Sequence, residues 1–97
     1  MGTGQEEAYR NLVLYGEQIR AARGLLGWSQ ADLAKKAEVG HMTVKRFEAN
    51  AGPVSGTIAS LTRIQSALEG AGIQFLPPDE WGSFGVRLTP LKKTKKK

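Results

Sequence analysis

The side chains in this sequence best suited to recognition chemistry sit close together: His41, Met42, Thr43, Lys45 and Arg46. Lys and Arg donate hydrogen bonds to guanine O6 and N7, a methionine suits the thymine methyl, and histidine can donate or accept at a base edge. Their spacing sets three of them on one flank of a helix. Counting about 100° per residue from Val44, Phe47 and Glu48 fall within about 60° of it, while Met42, Lys45 and Arg46 fall on the far half. His41 stands at the N-terminal end and Thr43 at the edge. Lys45 and Arg46 would otherwise be an ordinary solvated face, and Arg46 could equally clasp a phosphate.

Catalysis finds no comparable grouping. The chain has one histidine and no cysteine, so a disulfide framework and a Cys-ligated metal are excluded. Asp79 and Glu80 are adjacent carboxylates without an evident partner and read as solvated loop charges. With no nucleophile–base pair, metal-ligand spacing or phosphate-cradling loop, neither an enzyme, a cofactor nor a metal is expected.

The helix that carries these side chains needs a support, and the preceding residues supply one. Ser29 is a candidate N-cap with Asp32 three residues on, where a capping-box acid would sit. Leu33, Ala34 and Ala37 then share one side of a short helix. Glu38-Val39-Gly40 breaks the pattern before the next helix begins. Two short helices joined by about three residues form a helix-turn-helix, whose second helix can enter a DNA major groove N-terminus first.

This stretch resembles the helix-turn-helix of the phage repressor and Cro-like family, also called the Xre family. The matching positions are Ser29, Gln30, Leu33, Ala34, Ala37, Val39, Thr43, Val44, Arg46 and Glu48, and with flanking helices the resemblance spans roughly residues 16–72. Two positions depart from the family pattern. Glu38 stands where the family usually has glycine, in a turn where positive φ is common, at a cost of about 1 kcal/mol. Gly40 stands where the family often has Ser or Thr, and is a weaker N-cap. The resemblance implies an all-α, lambda repressor-like bundle of four to five helices. It also implies that Gln30 contacts the DNA backbone and supports the recognition helix, and that relatives bind as two-fold dimers.

Around this unit the chain divides into an arm or extra helix over residues 1–15, the DNA-binding domain over 16–72, a β-like extension over 73–91 and a disordered Lys-rich tail over 92–97. Ala8, Tyr9, Leu12 and Val13 have helical spacing and would form an extra helix or an arm on a partner subunit. The first core helix is expected from Gly16 or Glu17 to Leu26, burying Ile19, Ala22, Arg23 and Leu26. A charge on that stripe needs an opposite charge. Glu48, beside Val44 and Phe47, is the matching oddity, so an Arg23–Glu48 ion pair is expected, and the resemblance implies the same pairing. Trp28 reads as a core plug before the Ser29 cap.

Asn50 can end the third helix in a left-handed conformation, and Gly52-Pro53 marks a loop. A fourth helix follows from about Ser55–Thr57 to Ala71, with Leu61, Ile64, Leu68 and Ala71 inward and Gly72 beyond its end. Residues 73–76 and 86–89 are β-like, separated by PPDEWGSFG. An isolated hairpin is marginal in water. These strands should therefore pack on the helices or pair with a second copy.

The net charge of +5 comes wholly from Lys92, Lys93, Lys95, Lys96 and Lys97; residues 1–91 carry nine basic and nine acidic side chains. Between Arg20 and Arg63, however, seven basic residues face only Asp32, Glu38 and Glu48, the asymmetry of a phosphate-facing surface. Backbone N–H groups near Ser29, Gln30 and Gly40, and near Asn50, Ser55 and Thr57, could hold phosphates. No long apolar run or signal-peptide pattern is present, so a soluble, cytoplasmic protein is expected, with no membrane partner. The sequence reading is thus a transcriptional regulator of double-stranded DNA, most simply a homodimeric repressor inserting residues 41–49 into the major groove. Two alternatives stand beside it. One is an antitoxin-type regulator that also holds a small protein partner through the C-terminal strands and the Trp81–Phe84 loop. The other is a helix-turn-helix used only for protein contact.

Overall fold

A computed structural model describes residues 14–49 and 56–89. Asn50, Ser55, most of the 1–15 segment and the 92–97 tail lie outside the described residues. The element order is α1 (Gly16–Leu26), α2 (Gln30–Ala37), α3 (His41–Ala49), α4 (Ile58–Gly70), β1 (Ile73–Leu76) and β2 (Gly85–Leu88). This is a helical bundle carrying a helix-turn-helix, finished by a short antiparallel hairpin.

Local chemistry sets the helix ends. Tyr15, extended at φ −108°, precedes α1, and Gly27 ends it in the left-handed region at φ 71°, where glycine meets no Cβ penalty. The Ser29 hydroxyl accepts from the Asp32 amide at 3.0 Å, and the Asp32 carboxylate accepts from the Ser29 amide at 2.9 Å. This reciprocal pair satisfies two donors at the start of α2. The Thr57 hydroxyl caps α4 by accepting from the Ser60 amide at 3.1 Å. The sequence placed that helix within one to three residues of its observed bounds.

The core gathers the inward stripes of the four described helices: Ile19 and Ala22, Leu33, Ala34 and Ala37, Val44 and Phe47, and Leu61, Ile64 and Leu68. Leu26 and Trp28 pack against it half-buried. Leu14, just before α1, is 1 % exposed and belongs to the same core, although no periodic pattern marked it.

The hairpin pairs Ile73 with Leu88, Gln74 with Arg87, Phe75 with Val86 and Leu76 with Gly85. Alternation puts Ile73, Phe75, Val86 and Leu88 on one face; Ile73 is buried, and Phe75 and Val86 pack on the core. Of the two fates open to these strands, packing on the helices is observed. The tie is Gln18 of α1, 2 % exposed. Its Nε2 donates to the Leu76 and Gly85 carbonyls at 3.2 and 2.9 Å, and its Oε1 accepts from the Tyr15 amide at 3.1 Å. Tyr15 also stacks on Phe84, centroids 4.2 Å apart. The second strand begins at Gly85 rather than Val86 because Gly85 pairs with Leu76, where Gln18 grips both carbonyls.

Candidate nucleic-acid interface

Helix α3 has two chemically distinct sides. Val44, Phe47 and Glu48 are buried, whereas His41, Met42, Lys45 and Arg46 are exposed and Thr43 is intermediate. Met42 is 67 % exposed, so its thioether is open to solvent. The four side chains that could meet base edges therefore lie together on solvent.

What holds α3 is a polar cluster inside the bundle. Arg23 of α1 donates through Nε and Nη2 to the two Glu48 carboxylate oxygens, each at 2.7 Å. The Glu48 side chain is 3 % exposed and that of Arg23 19 %. A third donor, Gln30 Nε2, reaches Glu48 Oε1 at 3.1 Å, and Arg23 Nη1 donates to the Trp28 carbonyl at 3.0 Å. Hydrogen bonding to the carboxylate holds the Arg23 guanidinium above its ordinary range, against the opposing effect of burial. The paired carboxylate thus meets its desolvation cost with three donors, two of them in a bidentate fork. Arg20 adds a further bond from Nη1 to the Glu48 carbonyl, one of the acceptors a helix leaves open in its last turn.

The turn before α3 takes the geometry the family pattern implies. Glu38 adopts φ 59° and ψ 46° and is the only non-glycine with positive φ among the described residues. The Gly40 carbonyl accepts from the Thr43 and Val44 amides at 3.0 and 3.4 Å, starting α3. On the other side of α2, the Lys36 ammonium lies 5.4 Å from the centre of the Trp28 ring, a cation–π distance. Trp28 is thereby committed to the helix junction on one side and the core on the other.

Residues 19–65 match a family model described as helix-turn-helix (HTH_3). That span contains most of α1, all of α2 and α3 and most of α4, with the turn where the geometry puts it. Residues 19–65 are thus a helix-turn-helix domain of the Xre/Cro-like type. No curated protein matches the chain. The Xre-type domain makes this chain a DNA-binding regulator. Among its described residues no helix is long and apolar enough to cross a membrane, and no group of three His, Cys, Asp or Glu could hold a metal ion.

Within this Xre-type frame the helix starts differ as anion sites. At α2 the Asp32 carboxylate already sits on the Ser29 amide, so a negative charge competes with any phosphate there. The starts of α3 and α4 carry no acid in their first turn and offer a cleaner positive helix end. Gln30 donates its side-chain amide to Glu48 of α3. Sequence reasoning missed Gln18, Arg20 and Arg63 as structural side chains. Each looks like a surface polar residue from local pattern, and only tertiary placement reveals the carbonyl that it serves.

Proposed function

We propose that this chain is a dimeric, sequence-specific repressor that inserts α3 into the major groove. In this reading His41, Met42, Lys45 and Arg46 meet base edges, with Thr43 at the margin. The observation that carries it is the two-sidedness of α3: one flank is locked by Phe47 and the Glu48 cluster, the other leaves Met42 and three polar side chains uncovered. Backbone amides near Gly40 and Thr57 would hold phosphates and set register without reading sequence.

One helix reads only a few base pairs, so a two-fold dimer on half-sites about 34 Å apart is the geometry that gives a useful site. Bound over a promoter, such a dimer represses by occlusion. Fluorescence anisotropy against mixed duplexes at two salt concentrations tests the reading. Affinity should fall steeply with salt, and Lys45→Ala with Arg46→Ala should erase preference among sequences while leaving the melting curve near wild type. Preference that survives the double substitution would reject α3 as the reader.

A second reading adds a protein partner at the hairpin tip. It is favoured by Trp81, which is 80 % exposed on a loop built around Asp79, whose Oδ1 accepts from the Trp81 and Ser83 amides at 2.8 and 2.9 Å. A small protein that co-purifies with the wild type but not with Trp81→Ser would support it.

A further inference from the structure

Glu38 is the left-handed residue between α2 and α3. Its amide donates to the Lys35 carbonyl at 3.2 Å, and the Val39 amide to the Ala34 carbonyl at 3.0 Å, so the last turn of α2 is closed. The Glu38 carbonyl is taken by a different element. Arg63, on the exposed side of α4, donates to it through Nη1 at 3.2 Å. By charge alone Arg63 would be counted with the phosphate-facing residues, yet one of its guanidinium nitrogens donates to the backbone of the turn.

We propose that Arg63 is a positioning residue for DNA recognition, holding the Glu38 carbonyl so that the left-handed turn, and with it the aim of α3, stays fixed. The proposal rests on the reading of α3 as the DNA-reading helix. A residue with a Cβ is disfavoured in the left-handed region, so this turn has an incentive to relax that a glycine would lack. Relaxation at Glu38 would rotate α3 against α2. The bond from Arg63 is available only while the carbonyl points toward α4, and it therefore favours the observed state. An arginine that clasped phosphate would instead add its charge to the DNA contact and do nothing for the turn.

These roles separate in a four-variant comparison on the full chain: wild type, Arg63→Ala, Glu38→Gly and the double substitution, each titrated with a preferred duplex over a range of salt. Arg63→Ala should weaken binding about fivefold, the worth of one hydrogen bond, without changing the slope of log affinity against log salt. In the Glu38→Gly background the same substitution should cost less than about twofold, because glycine takes the left-handed region unaided. Hydrogen exchange of the Val39 amide, read without DNA, should quicken in Arg63→Ala and recover in the double variant. A slope reduced by about 0.9 with equal losses in both backgrounds would make Arg63 a phosphate contact and overturn the proposal. So would unchanged affinity with unchanged Val39 exchange. A wild type that prefers no duplex would sink the reading of α3 and the proposal with it, a result distinct from either.

Discussion

Arg23→Ala is the substitution that most severely tests the support of α3. It removes the bidentate fork to Glu48, both arms at 2.7 Å, and the bond to the Trp28 carbonyl. Glu48 would keep only Gln30 at 3.1 Å while its side chain stays almost wholly out of water, 3 % exposed. Breaking a buried pair from one side costs about 3–5 kcal/mol. Arg23 reaches the surface, at 19 % exposure, so water can enter where it stood and the lower figure, about 3 kcal/mol, applies. For a domain of this size that corresponds to a fall in Tm of roughly 12–24 °C. Urea melts followed by circular dichroism would measure it. Arg23→Met combined with Glu48→Met should cost less than the two single losses added, by about 2 kcal/mol, because neither charge is then stranded. A loss below about 0.5 kcal/mol for Arg23→Ala, or strict additivity in the pair, would refute the reasoning.

Three other perturbations follow from the geometry. Gly56→Ala would place a Cβ 2.6 Å from Cε1 and Cζ of the buried Phe47 ring; overpacking of this kind should cost about 2 kcal/mol in a urea melt, and an unchanged midpoint would contradict the contact. Gln18→Ala deprives the Leu76 and Gly85 carbonyls and the Tyr15 amide of a shared partner. It should lower stability by about 2 kcal/mol and speed amide exchange across the hairpin, whereas an undisturbed hairpin would show that helix α1 does not hold it. The Asp32 carboxyl is held below its ordinary value of 3.8, first by the Ser29 amide and then by the Ser29 hydroxyl. Its contribution is therefore full above the unfolded value and lost as pH falls through the folded one. Asp32→Asn should be less stable than wild type at neutral pH, the gap closing in acid; a gap constant across pH melts would speak against the capping box.

Where sequence was sufficient, chemistry was local. Ser29 and Asp32 lie one helical turn apart and cap the same helix, and the inward faces of α2 and α3 follow from the helical period at Leu33, Ala37, Val44 and Phe47. Glu48 was legible for a different reason: a charge among apolar neighbours demands a partner, and Arg23 was the one cation on a facing stripe. Gln18 offered no such contradiction. A glutamine early in a helix is unremarkable until a hairpin more than fifty residues away, bonded through Leu76 and Gly85, comes to rest on it. Arg20 and Arg63 were hidden in the same way, because a cation aimed at a carbonyl and one aimed at a phosphate leave identical marks in a sequence. Leu14 escaped because the stripe of α1 was counted from Gly16 onward.

The central claim, that the uncovered flank of α3 reads base edges, is tested most directly by selecting bound sites from random duplex DNA with residues 92–97 deleted, so that the lysine run cannot supply the affinity. The account predicts enrichment of one motif in two inverted copies about one helical turn apart, and loss of that enrichment with Lys45→Ala and Arg46→Ala. A pool that stays random after selection, or a motif unaffected by the two substitutions, would contradict it.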